Sequence, residues 1–445
     1  MLRGLLSPEH PRDSLRHIAG QSAWAGLAQL GGVFLRLATA VLIARLVGPA
    51  ALGLYVLALT LANGATVVAT FGLDRTVLHF IAHHRGTEDA GAAVGVFVFA
   101  SAVAATLAVA VGALVFVGAP HLAMWLHHPE LVAAARVVAL ATPFLTLGQV
   151  ARAGLTGFQD VRLAVALEQI AVPVATAAVV VVVHLRNPHD ALAAVVAAAL
   201  AQGGIGVVSW VALRGRLAHE AAPVILRPSQ WLRFSIPLWV ERGMLFVVAA
   251  AGYGFLARSA DTATVGAYGA ALRVAGLVGL PLLAVSTIFG PTVSNLAARG
   301  DWARLQVLYA RLTWALAAIG GTVGLAVAAG GRWVLAGFGP RFSAAAGALA
   351  ILAASQVVNS ATGPSGLVLI MTGRTVWRLA NAGIGAGLTL ALSWWAVPRW
   401  GAVGAAAAVG LSSALMNVVQ VYQVRRLVGL WAYDRPRHLG DRGHR

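Results

Sequence analysis

Twelve apolar runs, each long enough to cross a lipid bilayer, constrain the fold of this chain more than any other feature. A helix needs roughly 20 apolar residues to cross the hydrocarbon core, because its backbone N–H and C=O groups must be satisfied within the segment. Hydrophobic residues make up 59% of the 445 residues and charged residues only 11%, so a bilayer is the expected solvent. We predict an all-α membrane protein of about twelve transmembrane helices, at about 20–45, 53–73, 91–118, 131–157, 163–185, 191–213, 234–256, 264–290, 307–329, 343–371, 379–397 and 402–424.

A basic stretch divides these runs into two groups of six. We predict a first lobe at 20–213 and a second at 234–424, joined by a basic linker at 214–233 and flanked by a segment at 1–19 and a tail at 425–445. All 32 basic residues are arginine: 21 lie on the side of the termini, 6 on the opposite side and 5 within helices. Because cytoplasmic loops carry the excess of positive charge, both termini are predicted to be cytoplasmic, in a multi-pass inner-membrane protein.

Missing residue types exclude several kinds of function. A chain without lysine cannot form a P-loop or a Schiff base, and a chain without cysteine has no disulfide, thiolate nucleophile or cysteine-type zinc site. The net charge of +17 would suit nucleic acid, but the arginines lie in short segments between apolar runs rather than on one soluble face. Neither a nucleic-acid partner nor a cofactor is therefore predicted.

Two sequence patterns each occur twice, with nearly the same spacing. The pattern A-R-x7-G-x-Y-x2-A begins at Ala44 and again at Ala257, 213 residues later. The pattern T-G-x4-R-L-A begins at Thr156 and again at Thr372, 216 residues later. Two repeats in step indicate a duplicated six-helix unit. Six is an even number, so both copies enter the membrane from the same side and their pseudo-two-fold axis lies along the membrane normal.

Several arginines fall within the predicted helices or at their ends. An ionised side chain in a bilayer is costly, so it usually faces a water-filled cavity or a partner charge. If the two lobes face each other, these guanidinium groups would line one central cavity suited to an anionic, phosphate-bearing ligand. Alternatively, each arginine snorkels or pairs with a glutamate, and those at helix ends cap a turn. The candidates are Arg36, Arg242 and Arg273 within helices and Arg45 and Arg258 at outer ends.

Two acidic residues, Glu168 and Glu241, fall well inside predicted helices. They are the candidates for proton or sodium coupling, although a static counter-charge for Arg36 or Arg273 explains Glu241 equally well. His79 and His83 have a spacing that metals can use. Their position in a short basic connection favours a solvated interfacial helix instead, so no metal site and no catalytic residue is predicted.

Five short motifs are spread over nearly the whole chain. They are Ile43–Pro49 followed by Gly53-Leu-Tyr55, then Val265–Arg273, Phe289-Gly-Pro291, Leu369–Arg374 and Gly401-Ala-Val-Gly404. In sequence and order, these motifs resemble the polysaccharide-biosynthesis flippases, the Wzx-like branch of the MOP exporter superfamily. The resemblance implies two six-helix bundles that move an undecaprenyl-pyrophosphate-linked oligosaccharide between leaflets by alternating access. It also implies that Arg36 and Arg273 occupy places comparable to cavity arginines of related lipid-precursor flippases.

Other functions remain as alternatives. A multidrug or metabolite exporter of the same superfamily would favour cationic cargo and an acidic cavity, whereas arginines outnumber acidic residues within these helices. A membrane polymerase, ligase or glycosyltransferase usually needs acidic catalytic residues and a large outer loop, and this chain has short outer connections and no D-x-D. A purely structural scaffold is the remaining alternative. The expected partners are the lipid-linked oligosaccharide, membrane lipids and the polymerase and glycosyltransferases of the same pathway, with the protein itself a monomer.

Overall fold

Long helices joined by short turns make up the computed structural model, which describes residues 11–86, 90–187, 190–218 and 224–434. No strand occurs within these ranges. Residues 1–10, 219–223 and 435–445, which belong to the predicted N-terminal segment, linker and tail, lie outside the described residues. The helices are α1 Pro11–Leu46, α2 Pro49–Thr70, α3 Leu73–Gly86, α4 Ala90–Leu126, α5 Leu131–Gly157, α6 Val161–Val165, α7 Val172–Arg186, α8 Ala193–Ala218, α9 Pro228–Ser259, α10 Thr262–Gly276, α11 Leu280–Ala298, α12 Trp302–Ala336, α13 Ala346–Ala361, α14 Ser365–Met371 and α15 Thr375–Leu427.

Eleven segments of the described chain are long and apolar enough to span a membrane. The last, α15, has 53 residues and is broken at Gly401, where φ is 51° and ψ is −128°. At 1.5 Å per residue it is about 80 Å long, more than twice the thickness of the hydrocarbon core, so it supplies two spans. The break follows Pro398, which cannot donate a helical hydrogen bond, and glycine accepts the positive φ. The prediction of about twelve transmembrane helices is confirmed.

Helix ends depart from the predicted limits by several residues. The second span begins at Pro49 rather than 53, because Pro49 takes the first helical position after Gly48, whose φ of 96° turns the chain out of α1. The third and ninth spans, α4 and α12, continue to Leu126 and Ala336, beyond the predicted ends at 118 and 329. These extensions carry tryptophans, which suit the membrane interface, so apolarity alone did not mark the ends.

The helices pack in two groups that follow the chain. In the first half, α4 and α8 pack on α5, and α7 packs on α8; in the second half, α9 and α13 pack on α15, and α12 packs on α13. The outer surface carries large apolar side chains: Leu114, Leu185 and Trp333 are 73%, 77% and 78% exposed. Such a surface would be unfavourable in water and fits contact with lipid chains. The protein is a multi-pass, all-α membrane protein, while the exact lobe limits 20–213 and 234–424 stay a prediction.

The two halves touch most closely on the side of the bundle opposite the linker, which we call the far side. Here α2 packs on α10 through the glycines of the repeated pattern. A Cβ atom at Gly53 would lie 1.8 Å from the carbonyl oxygen of Thr262, and one at Gly266 would lie 2.2 Å from that of Pro49. Only glycine allows the two backbones to come this close. The repeat therefore supplies a close backbone contact between the halves on the far side.

Candidate functional site

A cavity of about 540 Å³ lies mainly in the first half, bounded by α1, α2, α3, α5, the α6–α7 region, α8 and α9. Four arginines and two carboxylates face it, an excess of two positive charges when all are ionised. Uncharged polar side chains, among them Asn63, Gln149 and Gln202, complete the polar part of the lining. The charged residues of this cationic cavity are Arg36, Asp74, Arg75, Arg152, Glu168 and Arg242.

Asp74 and Arg242 form an ion pair between the two halves of the chain. Asp74 lies at the start of α3, two residues after Gly72, whose φ of 72° interrupts the helix between α2 and α3. Its side chain is 6% exposed and accepts hydrogen bonds from Arg242 of α9 and, at 2.9 Å, from Nε2 of Gln149. Both donors reach the same carboxylate oxygen, and the other oxygen has no protein partner among the described residues. One wall of the cationic cavity is therefore contributed by the second half.

Arg36 and Glu168 are held at a π-helical segment, Ala166–Ala171, between α6 and α7. The Nη1 atom of Arg36 donates to Oε1 of Gln169 at 2.7 Å. Glu168 lies 3.7 Å from Nε of Arg152, a looser ion pair. A Cβ atom at Gly32 would lie 2.6 Å from Oε1 of Gln169, so glycine lets α1 approach this segment. π-Bulges often mark functional sites, and here the bulge turns two polar side chains toward the cavity arginines.

Of the five predicted site arginines, Arg36 and Arg242 line the cationic cavity, as does Glu168 of the predicted coupling residues. Arg273 lies beside this cavity rather than in its lining. Its Nη1 atom donates to the carbonyl oxygen of Gly269 at 3.0 Å, within its own helix. Tyr55, which does line the cavity, lies within electrostatic range of both Arg36 and Arg273. The expected single cavity lined by all five arginines is therefore not the observed arrangement.

Arg45 and Arg258 instead lie on the far side, where each reaches across to the other half. Nε of Arg45 donates to the carbonyl oxygen of Gly337, just after α12, at 2.7 Å. The guanidinium of Arg258 lies over the ring of Trp125, near the end of α4, at 5.2 Å from its centroid. The two repeats thus place equivalent arginines in reciprocal contacts. One alternative from the sequence is that these arginines cap a turn. In the structure each of them does more than this, because it joins two helices of different halves.

Further polar contacts hold the far side together. Nε2 of His128, in the α4–α5 turn, lies 2.8 Å from the carbonyl oxygen of Ala257 at the end of α9. Its other ring nitrogen is 3.0 Å from Glu130. Asp261 caps α10 by accepting a hydrogen bond from the backbone N–H of Thr264 at 2.9 Å. Hydrogen bonds from the Thr264 side chain and backbone hold the pKa of Asp261 below its usual value, so it stays anionic in this turn.

A second cavity, of about 530 Å³, lies in the second half. Its charged residues are Glu241 of α9 and Arg378 of α15, which form an ion pair. The counter-charge of Glu241 is therefore Arg378, and neither Arg36 nor Arg273 takes this role. Glu241 and Arg242 are consecutive in α9, yet Arg242 faces the cationic cavity and Glu241 faces the second one. Helix α9 is thus a wall shared by two cavities.

Four charged cavity residues were missed by sequence reasoning: Asp74, Arg75, Arg152 and Arg378. All four lie in predicted connections or at the ends of predicted spans, where a charged side chain does not stand out from the sequence. The signal for Asp74 was its place two residues after Gly72, in a turn that leads into another helix. His79, by contrast, stacks on Phe234 with 4.5 Å between ring centroids. No cluster of three or more residues able to hold a metal occurs among the described residues.

Several solved structures resemble this one over nearly its whole length. The lipid II flippase MurJ in an inward closed conformation has a TM-score of 0.70 at 12% identity, covering 90% of this chain and 87% of that chain. An inward-facing multidrug resistance MATE family transporter of the MOP superfamily has a TM-score of 0.64 at 15% identity, covering 92% and 94%. A MOP superfamily transporter from Pyrococcus furiosus, described as having a binding pocket of reverse polarity, scores 0.61 at 15% identity, covering 92% and 95%.

These likenesses establish the MOP-type fold, in agreement with the predicted fold class. Comparison with curated proteins gives no match. The sequence profile of one family, described as polysaccharide biosynthesis protein, matches residues 19–296, well over half of the chain. The matched region includes the whole first half and the first two spans of the second. This chain therefore belongs to the polysaccharide biosynthesis protein family.

Proposed function

We propose that this protein is a flippase that moves an undecaprenyl-pyrophosphate-linked oligosaccharide from the inner to the outer leaflet of the cytoplasmic membrane. The observation that carries the proposal is the cationic cavity. Three of its four arginines lie in membrane-spanning helices, where an excess of positive charge is costly, and an anionic ligand offsets that cost. Arginine suits a pyrophosphate in particular, because its planar fork donates two parallel hydrogen bonds to neighbouring oxygens.

In the proposed mechanism, the pyrophosphate binds in the cationic cavity while the lipid tail stays in the bilayer. Arg36 and Arg242 hold the phosphates together with Arg75 and Arg152, and Arg273 joins them when the halves move. The far-side contacts then open and those of the linker side close, as in alternating access. Arg45 and Arg258 act in this step as part of the far-side contact. No covalent chemistry is needed, so we regard the protein as a transporter rather than an enzyme.

The same proposal includes the membrane placement and the partners expected from the sequence. Both termini and the linker lie in the cytoplasm, the protein acts as a monomer, and a polymerase and glycosyltransferases work beside it. Glu168 and Glu241 stay the candidates for ion coupling, and each forms an ion pair with an arginine, Arg152 and Arg378 respectively. A cationic-drug exporter of the same fold is a weaker alternative, because the excess positive charge would repel its cargo.

Arg36→Gln should reduce the initial rate of transbilayer movement at least tenfold, because a charge-assisted contact to phosphate typically contributes about 1.5–3 kcal/mol and a tenfold effect needs about 1.4 kcal/mol. The assay follows a fluorescent undecaprenyl-pyrophosphate oligosaccharide from one leaflet of a liposome to the other. Arg273→Ala is measured alongside, with a smaller decrease expected since Arg273 lies beside the cavity.

The matched control is Arg136→Gln, since Arg136 is also within a predicted span but lies over the ring of Phe116, 5.2 Å from its centroid. This variant should retain the wild-type rate. Equal rates for wild type and Arg36→Gln would show that the cargo does not pass through the cationic cavity. Wild-type liposomes that move a cationic drug and none of the lipid-linked cargo would establish the exporter instead.

A further inference from the structure

The cavity of the second half differs in chemistry from the cationic cavity. Its charges cancel, because Glu241 and Arg378 pair with each other. Five of its nine uncharged polar side chains are primary amides and the other four are serines; the amides lie on α13 and α15 among apolar side chains such as Met416 and Val409. The amide residues are Gln356, Asn359, Asn381, Asn417 and Gln420. An anion gains little here, so a ligand of this cavity must be neutral and rich in hydrogen-bonding groups.

Three of the amides form a ladder between α13 and α15. Nδ2 of Asn417 donates to Oδ1 of Asn359 at 3.0 Å, and Nδ2 of Asn359 donates to Oε1 of Gln356 at 3.1 Å. A primary amide has two N–H donors and an oxygen that accepts twice. The ladder therefore leaves the amide nitrogen of Gln356 and the amide oxygen of Asn417 without a hydrogen bond among the described residues. Donating and accepting groups thus stand at its opposite ends.

A second amide pair shows that amides in this bundle can also satisfy each other completely. Asn381 and Gln423 bond reciprocally, at 2.7 and 2.9 Å, and both residues are buried. This closed pair satisfies itself and needs no ligand. Gln420, one turn from Asn417 on the same helix face, has no side-chain hydrogen bond in the described part of the chain. Amides within a membrane-spanning bundle are costly unless bonded, so water or a ligand completes the open set.

We propose that this amide-lined cavity binds the neutral sugar part of the cargo, while the cationic cavity binds its pyrophosphate. A sugar hydroxyl both donates and accepts, which matches an amide array whose free groups include both kinds. Apolar side chains beside the amides offer contact to the C–H faces of the sugar ring. The inference rests on the proposed flippase function and adds a second binding site for the glycan of the same substrate.

The test compares two probes on the purified protein: a radiolabelled prenyl pyrophosphate and the same lipid bearing a neutral trisaccharide, made with glucose, galactose or mannose. Equilibrium binding in detergent should be tighter for at least one glycosylated probe. In the Asn417→Leu/Gln420→Leu variant that advantage should fall about tenfold, as two hydrogen bonds are lost, with binding of the bare probe unchanged. A thermal melting curve checks that the variant folds, and Asn359→Asp serves as a second variant that keeps the size of the side chain.

The outcomes separate this inference from the proposed function. Arg36→Gln should weaken binding of both probes by the same factor, since each carries the pyrophosphate. If wild type binds bare and glycosylated probes equally for all three sugars, or if the amide variant weakens both alike, the glycan site is wrong. If the glycan advantage depends on the amides but liposomes show no movement of either probe, the site stands and the flippase is wrong.

Discussion

Gly53→Ala is expected to lower the rate of transport at least tenfold and to leave the far side open. The added methyl group would lie 1.8 Å from the carbonyl oxygen of Thr262, and no rotamer change relieves it because the obstacle is backbone. Helices α2 and α10 must therefore separate by more than an ångström. Gly266→Ala should act in the same way, since its methyl group meets the carbonyl oxygen of Pro49. We expect at least a tenfold fall in the translocation rate for each.

The opening can be measured directly because the chain contains no cysteine. A single cysteine at Ala267, which is buried beside Gly266, should react slowly with a membrane-impermeant maleimide in the wild-type background. Reaction from the far side should be at least ten times faster with Gly53→Ala. Gly254→Ala is the control, since no atom lies within 4 Å of its added methyl group. Unchanged labelling together with full transport would show that this contact does not close the far side.

Arg242→Leu is expected to lower the free energy of unfolding by about 3 kcal/mol and to stop transport. The substitution leaves the buried carboxylate of Asp74 without its ionic partner, and an unpaired buried charge costs several kcal/mol. Arg242 is itself one-third exposed, so the cost falls at the low end of the usual range. Thermal unfolding in detergent, followed by tryptophan fluorescence, measures the change in stability.

The double variant Asp74→Leu/Arg242→Leu separates stability from function. Replacing both members of the pair by apolar side chains should restore most of the lost stability, because no charge then remains unpaired. Transport should stay low, since the cationic cavity has lost an arginine. A double variant as unstable as Arg242→Leu would mean that Arg242 stabilises the protein through contacts other than Asp74.

The sequence predicts some features of the fold and of the cationic cavity and does not predict others. Apolar runs and their repeat predicted the twelve spans, and the embedded positions of Arg36, Arg242 and Glu168 predicted polar groups that do line one cavity. Hydropathy along a chain carries no information about which helix end folds over which cavity. Asp74 and Arg378 were therefore assigned to connections, although tertiary packing brings both against α9.

The two outer arginines also show which features the sequence predicts and which it does not. Arg45 and Arg258 occupy matching places in the repeat, and that symmetry is visible in the sequence. Their partners, Gly337 and Trp125, are distant in the chain and belong to the opposite half. Symmetry within the sequence indicated that the two arginines would behave alike. Only the packed structure shows what each of them contacts.

Helix α9 gives the two cavities a common moving part. Glu241 and Arg242 are neighbours on one rigid helix, so any tilt or rotation that moves one side chain moves the other. If a ligand in one cavity moves α9, the shape of the other cavity changes as well. Transport would then require both cavities to be filled at the same time. A carrier lipid without its complete headgroup would fill only one of them.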